Sequence, residues 1–174
     1  MKKIVILLCV VILQLFGFEL GKKLPNLELA NKDGGYLNSS RWSAKDMDAK
    51  VNIIFYVDPD MKDLNDDFAK ELQKLHLSEK ELKVFVIINM QASWIPNMLI
   101  DTVLDSKQKK FPEAHYVKDN SRVLVKKWAF KDNDYDIVAV DSSHKVIFSH
   151  SGKMSSVLST KLVEDIRHSD NKIF

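Results

Sequence analysis

Cysteine, glycine and proline are scarce in this chain of 174 residues, which holds one, five and four of them. Each shortage removes a class of chemistry. The single cysteine, Cys9, sits inside an N-terminal apolar run, so the remainder of the chain offers no thiol, disulfide or sulfur ligand for a metal. A domain of this size can build a core without disulfides, even in an oxidising compartment. The glycines fall at positions 17, 21, 34, 35 and 152, and no Gly-x-Gly-x-x-Gly or phosphate loop can be made from them. A bound dinucleotide is therefore not expected, nor is another cofactor. The five histidines, His76, His115, His144, His150 and His168, contain no pair at a zinc-binding spacing on one helix, and no metal is expected. His144 and His150 flank an expected strand and read as exposed turn residues. An excess of one charge is also missing, since 26 Lys+Arg stand against 24 Asp+Glu.

What is present begins with a targeting segment. Lys2 and Lys3 precede an apolar run from Ile4 to Phe16 that only Gln14 interrupts. A basic start and a run this short match a secretory leader better than a membrane span. Gly17 supplies a small residue before a cut, although Leu15 is a poor match two positions earlier, so the cleavage site is left open. The expected organisation is a leader over residues 1–17 and one domain over 18–174, located in the periplasm with no stable membrane span once the leader is gone. The alternative is an uncleaved segment that anchors the chain in the inner membrane. Loss of Lys2 and Lys3 balances the charges and removes Cys9. A neutral mature chain is not an expected nucleic-acid binder. Without a thiol it cannot act as a thiol–disulfide oxidoreductase or thiol peroxidase.

The domain is organised around residues 51–75. Val51-Asn52-Ile53-Ile54-Phe55-Tyr56-Val57 is a nearly continuous apolar run, the pattern of a strand covered on both faces. A turn, Asp58-Pro59-Asp60-Met61-Lys62-Asp63, leads into a helix with Leu64, Phe68, Leu72 and Leu75 on one face. The acids at its start suit helix capping and the positive end of the dipole. Upstream, Leu27 and Leu29 suggest a short edge strand, residues 31–35 a turn, and Tyr36 and Leu37 the returning strand; Trp42 reads as an anchor in a polar stretch. Downstream come a second central strand at 83–89, a helix opened by Pro96 and running to about 107, a strand at 114–117, a helix at 122–128, strands at 137–140 and 146–148, and a last helix from 155. That order means an α/β mixed sheet with helices on both faces and an N-terminal hairpin extension. Trp94 and Ile95, beside Met90, read as core cover, with an exposed patch for a partner as the alternative.

The opening Gly21…Leu24-Pro25 resembles the start of peroxiredoxins and secreted thioredoxin-like proteins, and the strand and helix over residues 51–75 resemble the thioredoxin core. More narrowly, Gly21, Pro25, Asn89, Asp119, Trp128, Asp141 and Gly152, in that order and spacing over nearly the whole mature chain, resemble the YtfJ family of periplasmic thioredoxin-like proteins, whose function is poorly defined. The resemblance implies a thioredoxin-like fold. It also implies that Asp60 and Asp63 stand at about the positions of the Cys-x-x-Cys pair, and Tyr135-Asp136 where redox members carry a proline. His144 stands where such sequences often have a turn glycine. Because a non-glycine residue at positive φ is disfavoured, a different kind of turn is expected there.

No catalytic residue is assigned. The favoured expectation is a non-redox binding or accessory protein that holds an unidentified protein or peptide in a groove lined by Asp58, Pro59, Asp60, Met61, Asp63 and Tyr135. The competing expectation is a metal-dependent hydrolase or phosphatase using Asp58 and Asp60, since Asp-x-Asp after a hydrophobic strand superficially resembles the haloacid dehalogenase loop. That loop continues Gly-Thr, whereas this one continues Met61-Lys62. Calcium binding by the same acids meets Lys62 and Asp63 where its known loop has a ligand and a glycine.

Overall fold

The computed structural model describes residues 18–170. The expected leader, with Cys9, lies outside the described residues. Three short strands, β1 (Glu28–Leu29), β2 (Gly34–Tyr36) and β3 (Trp42–Ser43), lead into β4 (Val51–Val57) and α1 (Asp66–Gln73). Then follow β5 (Leu82–Asn89), α2 (Asn97–Lys110), β6 (Ala114–Asp119), α3 (Val123–Trp128), β7 (Tyr135–Asp141), β8 (Val146–Ser151) and α4 (Ser156–Asp170).

Six strands form one mixed sheet in the order β2-β6-β5-β4-β7-β8. β4 lies parallel to β5 and antiparallel to β7, and every one of its residues is buried. Its side chains alternate between two cores, as strand geometry requires. Ile53, Phe55 and Val57 join α1, α2 and α4 on one face through Phe68, Leu72, Ile100, Leu104, Leu162 and Ile166. Ile54 and Tyr56 join α3 and the N-terminal segment on the other, through Leu124, Trp128, Leu29 and Trp42. Helices thus cover both faces, as the element order implied.

The N-terminal strand pair is present with a different second strand. Leu29 pairs with Trp42, so β1 and β3 form the pair, and Tyr36 lies instead on the edge of the main sheet, antiparallel to β6. The reason is in the two glycines. A Cβ on Gly34 would lie 1.9 Å from the Lys118 carbonyl oxygen, and one on Gly35 2.4 Å from that of Ser40. Gly34-Gly35 therefore serves close backbone approach within a strand, and the turn before it is a 3-10 turn, Asn31–Asp33. Trp42 is the anchor its sequence suggested, fully buried against Phe85 and Trp128.

Two further expectations are corrected. His144 adopts φ 64°, so the turn keeps its left-handed residue without a glycine. Its Nε2 lies 3.0 Å from the Met47 carbonyl oxygen, a contact that supports the strained backbone. Neither His144 nor His150 is an exposed turn residue; both are half-buried.

Candidate functional site

The turn after β4 lies at the carboxyl end of the parallel strands, the usual place for ligands in α/β sheets. Asp58 caps the 3-10 turn Pro59–Met61, accepting from the Asp60 amide at 2.8 Å, while its own amide donates to the Asp134 carbonyl at 3.1 Å. Asp58 and Pro59 are buried. Burial raises the Asp58 pKa, the amide of Asp60 opposes the rise, and the charges of Asp60 and Asp132 add to it. Asp58 is thus a structural acceptor turned into the chain.

Asp60 is exposed and accepts from Ser93 Oγ at 3.0 Å. Asp132 accepts from Asn89 Nδ2 at 2.8 Å and pairs with Arg122 Nη1 at 3.1 Å. Among the described residues no group of three or more His, Cys, Asp or Glu is arranged to hold a metal ion. The acid-nucleophile reading of Asp58 and Asp60 finds no favouring geometry. Asp63 is exposed and paired with Lys62 and Lys107, each at 2.8 Å, and its hydrogen bonds to Lys107 and then Lys62 hold its pKa at about 2.

The expected groove residues do not all share one surface. Asp58, Pro59, Asp60 and Met61 follow one another in the turn, and Asp60 and Met61 face solvent. Tyr135 begins β7 opposite Val57, but its ring is buried beside Phe55, at 5.9 Å between centroids, on the α1–α2 face of the sheet. Of the two residues read as core cover, Ile95 packs against the α1–α2 core while Trp94 comes to the surface, 88% exposed. Met98 and Leu99 are exposed beyond it at 78% and 55%, while Met90 and Ile100 are buried. The Ser93–Asp60 hydrogen bond ties this loop to the turn, and the two make one rim, with Trp94 and Met61 each next in sequence to a bonded residue. No local signal separates the two outcomes, since Gln91, Ala92, Ser93 and Asn97 near Trp94 are polar or small while Met90 and Ile95 are apolar.

Residues 21–169 match the family described as bacterial protein of unknown function (YtfJ_HI0045). The chain belongs to this YtfJ family. No curated protein matches it significantly. Among solved structures, the thioredoxin domain of a thiol-disulfide oxidoreductase from Bacteroides vulgatus is similar at 9% identity and TM-score 0.62, over 86% of this chain and 99% of that one. The pneumococcal exposed lipoprotein thioredoxin Etrx1 from Streptococcus pneumoniae is similar at 11% identity and TM-score 0.55, over 81% and 99%. A conserved protein of unknown function from Bacteroides fragilis is similar at 14% identity and TM-score 0.57, over 85% and 98%. These likenesses establish a thioredoxin-like fold.

The residues that carried the YtfJ resemblance act mainly as fasteners. The Gly21 amide donates to Val146 and the Pro25 carbonyl accepts from Trp128 Nε1 at 3.0 Å, so both tie the N-terminal segment to the domain. Asp119, fully buried, accepts from the Tyr56 hydroxyl and from the amides of Ser121, Val123 and Leu124, which fixes the start of α3. Asp141 holds the β7–β8 turn through the amides of Ser143 and Lys145. Gly152, at φ 83°, accepts from Asn65 Nδ2 and so links β8 to the segment before α1. Asn89 alone reaches the rim: its Oδ1 accepts from the Gln91 amide at 3.3 Å, at the start of the Trp94 loop, and its Nδ2 donates to Asp132.

Proposed function

We propose that this YtfJ protein is an exported, non-redox thioredoxin-like binding or accessory protein of the periplasm. It holds a segment of a partner protein or peptide across the rim formed by residues 58–61 and the loop that carries Trp94. The exposed Trp94 is the observation that carries this reading. Large apolar side chains left in water at one place mark interaction sites, and tryptophan is enriched among the residues that dominate binding energy. Met61, Met98 and Leu99 extend the apolar surface, and methionine adapts to varied partners. Asp60 and Asp63, at about the positions of the missing cysteine pair, offer polar contacts and no route for disulfide exchange.

Export rests on the basic and apolar leader, and among the described residues no helix is long and apolar enough to cross a membrane. Recovery of the protein by osmotic shock supports a cleaved leader; retention in the membrane fraction supports the uncleaved anchor. Partner binding is tested by photo-crosslinking in intact cells from a probe at Met61, with a control probe at exposed Lys161 on α4. A discrete adduct at Met61 alone, lost in Trp94→Ala, supports the rim. No adduct at Met61, or the same adducts at both positions, overturns it.

A further inference from the structure

α1 and α2 lie side by side on the sheet without closing over it. Between them and the strands is a cavity of about 290 Å³, with Phe55, Val86, Ile88 and Leu104 in its wall and the small side chain of Ala69 facing it from α1. Polar pairs strap the two helices together above it. Asp66 on α1 accepts from Lys107 Nζ at 2.6 Å and from Lys110 Nζ at 3.0 Å, and Gln73 Nε2 donates to Glu113 at 3.3 Å. The volume is near the lower end of the roughly 300–1,000 Å³ usual for small-molecule sites. It is about twice the roughly 150 Å³ engineered cavity that stays dry and takes up benzene.

Two tyrosines give the cavity its polarity. Tyr116 on β6 and Tyr135 on β7 are each 5% exposed and line it. Among the described residues neither hydroxyl has a hydrogen-bond partner, and neither is sealed in as the Trp42 indole N–H is, so each is left open to the cavity. Both lie within the electrostatic reach of Asp66, which places them toward the strapped end. Burial holds the hydroxyls protonated, with the Tyr116 pKa pushed up to about 12, so each is a donor awaiting an acceptor. The straps balance in charge. Lys62, Lys107 and Lys110 are paired with Asp63 and Asp66 in one connected group, and with Glu113 on the second strap three ammonium groups stand against three carboxylates.

We propose that this cavity binds a medium-chain acyl compound, its chain along Val86 and Ile88 and its carbonyl oxygen accepting from the hydroxyls of Tyr116 and Tyr135. The site is independent of the partner-binding rim, since neither Trp94 nor Met61 lines it. Acid and ester forms share the recognised chemistry. The balanced straps favour neither head, and the tyrosine donors serve both.

The test is fluorescence titration of the purified protein with dansyl-labelled undecanoic acid, followed by competition with decanoate and with methyl decanoate. Saturable one-to-one binding, displaced by either competitor, is expected, and the stronger competitor identifies the head. The double variant Tyr116→Phe, Tyr135→Phe should bind about tenfold more weakly, the loss of one to two neutral hydrogen bonds. Ala69→Phe, which puts a ring into the cavity, should abolish binding. Methyl NMR shifts on addition of decanoate should fall on Val86, Ile88 and Leu104, which keeps the proposal testable if Ala69→Phe does not fold. No saturable binding, equal affinity in the tyrosine variant, or shifts confined to Met98 and Leu99 would overturn it. The first result would mean that the cavity holds only water, and the last that the probe adsorbs to the rim.

Discussion

The two faces of the central sheet are built to different standards. On the α3 face, aromatic rings close-pack. Tyr56 meets Phe130 at 4.8 Å, Trp42 meets Trp128 at 6.0 Å and Phe85 at 6.1 Å, and the Tyr56 hydroxyl is bound to Asp119. On the α1–α2 face, a cavity of about 290 Å³ remains, and two tyrosine hydroxyls open into it. The closed face has an unpartnered donor of its own, the Trp42 indole N–H, but that atom is packed in with no space beside it. Most residues that mark the family work on the closed face or in its turns. Sequence identity of 9–14% to proteins of the same fold shows that this sheet architecture is reached with nearly all side chains different.

The largest effect should come from breaking the closed face. Asp119→Ala strands the Tyr56 hydroxyl and the amides of Val123 and Leu124 in a dry interior. Losing this many buried partners should lower unfolding free energy by roughly 3–4 kcal/mol, read from the urea midpoint. Tyr56→Phe keeps the amide contacts of Asp119 and should cost only about 1 kcal/mol. A loss for Asp119→Ala no larger than that of Tyr56→Phe would show that the two faces are not fastened differently.

The open face should respond with the opposite sign. Filling empty space commonly adds about 0.5–2 kcal/mol, so Ala69→Phe should raise the urea midpoint where a large residue added to the closed face would strain it. A destabilised but folded Ala69→Phe would mean that the gap between α1 and α2 is narrower than it stands here. Trp94→Ala belongs to neither core. Its change in stability should stay within about 0.5 kcal/mol, while the crosslink at Met61 disappears.

How much of this was legible in the sequence follows the same division. β4 was readable to the residue because a strand buried on both faces is one unbroken apolar run. α3 and α4 came within a residue of their starts, because apolar spacing marks helices that pack. The β1–β3 pair was misassigned, since two-residue strands have no period and the glycine pair signals a turn as readily as a close approach. Trp94 was put in the core on composition alone. Its exposure depends on where Ser93 and Asp60 meet, and no local pattern records that. The cavity was invisible for a stronger reason. Leu72 on the helix face and Ile88 in the second central strand read as core and are core, and the space they help enclose arises from the distance between two helices that polar straps set.

Titration sharpens the comparison with the smallest effects and with opposite signs. Asp136, on the closed face, is buried and accepts from the Lys131 amide and Ser151 Oγ. Burial raises its pKa above the ordinary carboxylate value, and those hydrogen bonds only partly offset the rise. The folded state then binds more protons than the unfolded state between the two values, so this group's contribution to stability falls as pH climbs from about 3.9 through the raised pKa. Asp63, exposed beside the open face, is held down to about 2 by Lys107 and Lys62. Its contribution is present above about 3.9 and is lost as pH falls toward 2, and solvent screening keeps it small. Urea midpoints across this range should therefore flatten above pH 4 in Asp136→Asn and below pH 4 in Asp63→Asn. If Asp136→Asn leaves the upper slope unchanged, the Asp136 carboxylate is better solvated than its burial implies, and the closed face is less dry at its β7–β8 edge than at Asp119.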